Sequence, residues 1–324
     1  MTVRDIVCKS ALTRTGIPGA EYALNPYTGC AHACVYCYAS FMTRFSGHTD
    51  RWGTWVDAKA NIAEILEKEI RRKSAHRHRP EKLIQASLTG LGESAKPASR
   101  ESRQSPGTLE SPEEPTAPGS LDSPDGPTIL LSSVTDPYQP LEASLGLTRA
   151  CLEALAGATD PFSPEVSILT KSALAVRDIP ILRDLPGSEV GMTITTLDDA
   201  LARHMEPGAS APSARLRALE QLASQSIKTW VFISPVLPHH GDSPAALAAL
   251  MKRAAEAGAS RIGVDRLNLY PAAVAGLARV SCPEALQALQ AYKSSPQDYL
   301  ARLRNAVSEA AEAAGIGVPV QVFF

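Results

Sequence analysis

The sequence predicts an α/β chain folded as a partial (β/α)6 barrel, open rather than closed, with a disordered insertion. Three observations lead there. Short β-branched apolar runs alternate with helical patterns. They amount to about six units, too few for a closed eight-fold barrel. One long polar stretch interrupts the alternation without the means to form a core. Strand–helix alternation implies parallel strands joined by right-handed crossovers.

In chain order, the first strand falls near Tyr22–Asn25. A helix is expected over Ala58–Lys73, where Ile62, Ile65, Leu66 and Ile70 share one face, with Asp57 placed to cap it. Strands follow at Thr128–Val134, Val166–Thr170, Val190–Ile194, Thr229–Val236 and Arg261–Leu267, each resembling a buried parallel strand that is apolar on both faces. Helices are expected at Leu141–Ala156, at Leu174–Leu185 with an interruption at Pro180, and at Pro212–Ser224. Ser243-Pro244 and Ser295-Pro296 each read as a helix cap followed by proline in the first turn.

Residues 91–127 carry 7 Pro, 7 Ser and 7 Asp/Glu but only three large aliphatics, Leu91, Leu109 and Leu121. Such a stretch cannot bury enough apolar surface to offset its ordering entropy. It reads as a disordered insertion in one core domain made of residues 1–90 and 128–324.

The 32 Lys+Arg nearly balance the 34 Asp+Glu, a net charge of −2, which argues against holding nucleic acid by bulk charge alone. No run approaches the roughly 18 apolar residues of a membrane span. The opening residues lack the apolar stretch of a secretory signal. A cytoplasmic protein without membrane partners is the expectation.

The chemistry concentrates in Cys30, Cys34 and Cys37, spaced C-x3-C-x2-C. Closely spaced thiolates on one loop bring three sulfurs to one ion or cluster. A structural zinc site is usually closed by four protein ligands. Cubane iron–sulfur clusters normally take four thiolates. Three cysteines therefore leave one coordination position open, as a catalytic centre requires. The competing reading is a non-catalytic zinc module with His32 as fourth ligand. The loop follows the first predicted strand, at the strand-end face where βα barrels gather their active sites.

Cys30-Ala31-His32-Ala33-Cys34-Val35-Tyr36-Cys37 after a first strand resembles the radical S-adenosylmethionine (SAM) superfamily. Further words narrow the resemblance to the spore photoproduct lyase-like, or "DNA repair photolyase", branch. In order they are Ile17-Pro18-Gly19-Ala20, Asn25-Pro26-Tyr27-Thr28-Gly29, Thr135-Asp136-Pro137-Tyr138-Gln139-Pro140-Leu141-Glu142, Leu147-Thr148-Arg149, Leu169-Thr170-Lys171-Ser172 and Ile194-Thr195-Thr196-Leu197-Asp198. The likeness implies a radical SAM barrel in which Cys30, Cys34 and Cys37 each bind one iron of a 4Fe–4S cluster. The fourth iron would take the amino and carboxylate groups of S-adenosylmethionine. Reductive cleavage would then give a 5′-deoxyadenosyl radical.

The resemblance also implies cofactor contacts. Thr135 and Asp136 would hold the SAM amino group or ribose, and Lys171 and Arg215 its carboxylate. Thr195, with Thr196, would meet ribose hydroxyls, and Tyr36 or Tyr38 would line the adenine pocket. Each has a plain alternative: turn, surface lysine, surface helix residue, cap or core aromatic. An electron donor such as flavodoxin or ferredoxin is the implied partner, and nucleic acid, a peptide or a small molecule the compatible substrates. Ser133-Val134 stand where spore photoproduct lyases proper carry a hydrogen-donating cysteine, which points away from spore photoproduct itself.

Cys151 reads as a small core residue, and Cys8 and Cys282 are too dispersed for a second cluster. His239 and His240 follow the fifth strand as acid–base candidates or exposed loop residues. A basic group (Arg71, Arg72, Lys73, Arg77, Arg79 and Lys82, with His76 and His78) ends the first long helix. Favourable placement at a helix C-terminus is its first reading, and docking of an electron donor or of phosphates its second.

Overall fold

The computed structural model describes residues 1–77, 126–158 and 162–324. Most of the expected insertion, 91–125, and His78, Arg79 and Lys82 of the basic group lie outside the described residues.

The strands are β1 (Thr2–Ile6), β2 (Leu12–Arg14), β3 (Tyr22–Leu24), β4 (Tyr27–Thr28), β5 (Trp55–Lys59), β6 (Thr128–Leu131), β7 (Glu165–Thr170), β8 (Glu189–Thr193), β9 (Lys228–Val236), β10 (Ile262–Arg266) and β11 (Val320–Val322). The helices are α1 (Thr43–Ser46), α2 (Ile62–Arg77), α3 (Glu142–Leu145), α4 (Leu147–Ala156), α5 (Ile179–Arg183), α6 (Asp199–Met205), α7 (Pro212–Ser224), α8 (Pro244–Glu256), α9 (Pro271–Ala278), α10 (Pro283–Ser294) and α11 (Pro296–Ala314).

Among the described residues, one sheet of eight strands runs β11-β10-β9-β8-β7-β6-β3-β2. From β3 to β11 all neighbours are parallel; β2 caps the edge antiparallel. The register between the first two parallel strands sets Tyr22 opposite Ile129 and Leu24 opposite Leu131. No pairing joins β2 to β11, so the barrel stays open. All six expected strands are present, and β11 adds a seventh to the parallel run.

The strands divide on the expected burial of both faces. β8 meets it, with Val190, Gly191, Met192 and Thr193 all buried. β7 alternates instead: Val166, Ile168 and Thr170 are buried, whereas Glu165, Ser167 and Leu169 are half-buried.

Helix edges follow local chemistry. α7 begins at Pro212, whose fixed φ suits the first turn, and buries Leu216, Leu219 and Leu222 on one side. α8 starts as expected: the Ser243 side chain accepts a hydrogen bond from Ala246 N at 3.2 Å. α11 ends at Gly315 in the left-handed conformation and presents Leu300, Leu303, Ala306, Val307 and Ala310 to the core. Among the described residues no helix is long and apolar enough to cross a membrane.

Two expectations need correction. Asp57 is no helix cap. It sits in β5, where its carboxylate pairs with Arg4 Nε at 2.9 Å and His48 Nε2 at 2.9 Å. A short strand, Trp55–Lys59, pairs with β1 and β4 in a separate three-stranded sheet, so the helix starts later, at Ile62. The helix expected over Leu141–Ala156 breaks at Gly146, which ends α3 in the left-handed region and opens α4.

Candidate functional site

β3 ends at Leu24, and the chain passes through β4 directly into the cysteine loop. Two tight turns shape that loop: Ala33 N donates to Cys30 O at 3.3 Å and Cys37 N to Cys34 O at 3.2 Å. They fold Cys30, Cys34 and Cys37 back within electrostatic reach of one another, since each neighbouring thiol raises the Cys30 pKa. Cys30 is buried, Cys34 and Cys37 are half-buried, and none forms a disulfide. Burial pushes all three thiols above their ordinary value. Among the described residues no three His, Cys, Asp or Glu side chains are drawn into a single-ion arrangement.

Three segments brace the loop from outside. The first is Thr135–Glu142, after β6. Thr135 Oγ1 donates to Gly29 O at 2.5 Å, and Gln139 Oε1 accepts from Ala31 N at 2.8 Å. Fully buried Glu142 accepts from Tyr27 Oη at 2.5 Å, Thr148 N at 2.9 Å and Arg177 Nη2 at 2.7 Å. The second is the end of α6 and the segment after it. Val35 N donates to Met205 O at 2.9 Å and Gly208 N to His32 O at 3.0 Å. The third is α9, which packs against the 3-10 turn Tyr38–Met42.

Close approach makes two glycines necessary. A Cβ on Gly208 would stand 2.1 Å from Ala31 O, and one on Gly276 would stand 1.8 Å from Val35 O. Either contact would force loop backbone to move. We expect Gly276→Ala to lower the thermal midpoint of the protein and to expose Cys34 and Cys37 to thiol reagents. A variant with unchanged midpoint and thiol reactivity would refute the close fit.

The expected cofactor contacts divide. Asp136 is buried, and its carboxylate is filled from within the protein. Tyr138 N and Thr170 Oγ1 donate to Oδ1 at 2.9 and 2.7 Å; Lys171 N donates to Oδ2 at 2.8 Å, and His32 Nδ1 stands 3.3 Å from it. An ionised carboxylate offers about four acceptor sites, and three of those on Asp136 are taken by donors that tie the Thr135–Glu142 segment to the end of β7. Thr135 likewise spends its proton on Gly29.

Burial pushes the Asp136 carboxyl up, but His32 and the hydrogen bonds from Thr170 and Lys171 outweigh it and lower it to about 2. A depressed carboxyl stabilises the fold fully above its unfolded value of about 3.9 and loses that contribution as pH falls through the folded value. We expect the Asp136 contribution, roughly 2–3 kcal/mol at neutral pH, to be lost progressively between about pH 5 and pH 1 in the original chain and to be absent from Asp136→Asn. Urea titrations at both pH values check it.

Arg215 is fully buried rather than a surface helix residue. It pairs with Glu206 and donates to Ser210 O at 2.7 Å and Thr193 O at 2.8 Å. Burial opposes its charge, and Glu206 more than restores it. Lys171, at the end of β7, differs. It is half-buried, its ammonium lies 5.8 Å from the centre of the Tyr36 ring, and among the described residues it makes no ion pair. Thr195 is buried and donates to Glu206 Oε1 at 3.2 Å; Thr196 Oγ1 accepts from Asp198 N at 3.1 Å, just before the Asp198 cap of α6. Tyr36 is buried with its hydroxyl on Glu206, while Tyr38 is about half exposed and donates to Ser133 O.

His240 is half-buried with Nε2 unpartnered, and burial and His239 lower its pKa; His239 is exposed. Cys151 is fully buried, as a core thiol should be. Gln139, Glu142 and Glu206 were missed as site residues by the sequence reading. The first two lie in the word Thr135–Glu142 and carried a signal; Glu206 carried none, because nothing local announces that a carboxylate will be buried.

No family model matches the chain. The chain is 30% identical over 234 residues to the uncharacterized protein MJ0683 of Methanocaldococcus jannaschii, covering 72% of this chain and 67% of that protein. It is 30% identical over 281 residues to the uncharacterized protein Rv2578c of Mycobacterium tuberculosis, covering 83% and 66%. The chain thus spans about two thirds of the length of these relatives. Among solved structures it resembles spore photoproduct lyase complexed with dinucleoside spore photoproduct, with a TM-score of 0.58 at 15% identity over 99% of this chain and 82% of that one. A mutant of that enzyme with bound AdoMet and the same dinucleoside gives 0.59 at 16% identity over 100% and 82%.

Proposed function

We propose a function for a chain that belongs to one family with the uncharacterized protein MJ0683 and carries the spore photoproduct lyase-like radical SAM fold: it is a radical SAM enzyme. Cys30, Cys34 and Cys37 hold a 4Fe–4S cluster, and S-adenosylmethionine binds beside it. The observation that carries this reading is the cysteine loop itself: three free thiols on two tight turns, braced at the carboxyl end of the first parallel strand. The mutant spore photoproduct lyase with bound AdoMet supports the choice of cofactor.

The residues fit such a group. Three thiols are the donor set an open-cornered cluster takes. Burial disfavours bare thiolates here, so a cationic metal centre is what stabilises them as anions. The chemistry supplied there is one-electron cleavage of the sulfonium–C5′ bond, giving methionine and a 5′-deoxyadenosyl radical.

This chain's residues do the rest. Tyr36 is buried within the loop, with its hydroxyl on Glu206 and its ring 5.8 Å from the Lys171 ammonium. Arg215 is committed to Glu206, and the Lys171 ammonium, without an ion pair among the described residues, is free to receive a carboxylate beside the thiols. Lys171→Ala should weaken SAM binding by about 10–100-fold, the worth of one charge-assisted hydrogen bond. Isothermal titration on reconstituted protein tests it; unchanged affinity would remove Lys171 from the site.

The substrate is one that a carbon radical can oxidise by taking a hydrogen atom: a nucleic-acid lesion, as bound by the structural neighbour, or a peptide or small molecule. The electron comes from a donor of the flavodoxin or ferredoxin kind. Anaerobic reconstitution with iron and sulfide, then SAM and dithionite, should yield 5′-deoxyadenosine. An intact cluster that yields none defeats the proposal, and one zinc per chain without iron establishes the zinc module instead.

A further inference from the structure

Glu206 is a fully buried carboxylate in the segment that runs beside the cysteine loop. Its Oε1 accepts from the hydroxyl of Tyr36, one of the two residues between Cys34 and Cys37, and from Thr195 Oγ1 at 3.2 Å. Its Oε2 accepts from Arg215 Nη2. The main chain on either side of Glu206 holds the same loop, through Met205 O to Val35 N at 2.9 Å and Gly208 N to His32 O at 3.0 Å. Arg215 in turn ties the carboxylate to the end of β8 through Thr193 O at 2.8 Å. A buried carboxylate costs several kcal/mol without such partners; here it has an ion pair and two hydroxyl donors. Beyond folding, the arrangement converts the fixed end of a central strand into a fixed place for one aromatic ring.

We propose that Glu206 is a positioning residue of the cysteine loop, acting through the Tyr36 hydroxyl to fix how Cys34 and Cys37 face one another. Its negative charge is compensated by Arg215, so the pair positions the loop without placing a bare anion beside three thiolates. The inference deepens the radical SAM reading, yet its first test needs no cluster.

The test compares the original full chain with Glu206→Gln, Tyr36→Phe and the double variant, all cluster-free and reduced. N-ethylmaleimide labelling is followed residue by residue by mass spectrometry. Cys151, fully buried in the core, is the internal gauge of global opening. Labelling of Cys34 and Cys37 should accelerate about tenfold in each single variant, the scale of one lost hydrogen bond to a charged group. Cys151 should stay protected. Both changes act on one contact, Glu206→Gln by neutralising the acceptor and Tyr36→Phe by removing the donor, so the double variant should label no faster than the faster single variant.

Loop thiols that react as in the original chain overturn the proposal. So does a double variant whose acceleration is the product of the two single ones, or Cys151 labelling that rises in step with the loop. Tyr36→Phe leaves the Glu206–Arg215 pair intact, so the test survives if Glu206→Gln does not fold. In reconstituted protein, both single variants should also change the electron paramagnetic resonance spectrum of the reduced cluster. If the original chain assembles no cluster, the proposed function fails, while the labelling still decides the role of Glu206.

Discussion

Replacing any one of Cys30, Cys34 or Cys37 with alanine should leave reconstituted protein without a stable cluster and reduce 5′-deoxyadenosine formation to background. Each thiolate holds one iron in a site of this kind, and no other cysteine is placed to substitute. Cys8 packs against the edge of the main core, Cys151 is buried within it, and Cys282 is exposed at the start of α10. The loop backbone is held by Gln139, Thr135 and the Met205–Gly208 segment rather than by the thiols, so the fold should survive. Iron and sulfide content, the visible absorption of the cluster and product chromatography measure the effect. Cys282→Ala is the control and should retain both iron and activity. A cysteine variant that keeps full iron and full SAM cleavage would remove that thiol from the site.

The largest stability effect should come from Arg215→Ala. Arg215 and Glu206 are both fully buried, and removing the cation leaves a carboxylate deep in the protein with only the Tyr36 and Thr195 hydroxyls as partners. Breaking a buried pair in this way costs about 3–5 kcal/mol. The same change frees the Ser210 and Thr193 carbonyls it now satisfies. Urea unfolding at neutral pH reads the loss directly. Replacing both charges together, Arg215→Met with Glu206→Leu, should recover part of it, because the penalty belongs to the uncompensated charge rather than to the lost contact. A single variant within 1 kcal/mol of the original chain, a bound well below that expected cost, would mean the pair is solvated in solution.

Much of this was legible beforehand. The alternation of apolar runs and amphipathic helices located six parallel strands, and Pro212, Ser243-Pro244 and Ser295-Pro296 marked helix starts correctly. β11 escaped because Val320–Val322 is too short to show a pattern alone and becomes a strand by pairing with β10. Asp57 was misassigned for a related reason: Trp55–Lys59 is a strand through its partners β1 and β4, and no local signal separates it from the helix that follows.

The cysteine loop was legible in its thiols and not in its supports. Cys30, Cys34 and Cys37 stand out because cysteine is scarce in the chain and these three are clustered. A hydroxyl and a carboxylate at a strand end, such as Thr135 and Asp136, serve a ligand and a neighbouring loop equally well, and the sequence does not say that they bond to Gly29 O and Lys171 N.

By itself, then, the sequence determined the order of strands and helices, the three thiols and their place after the first strand, since these depend on periodicity and spacing along one chain. The tertiary structure alone decided that Arg215 and Glu206 meet, that Lys171 stays unpaired among the described residues, and that Gly208 and Gly276 lie against the loop. The physical reason is that burial and charge compensation depend on distance in space, and residues such as Tyr36 and Glu206, 170 positions apart, come together only once the sheet has formed.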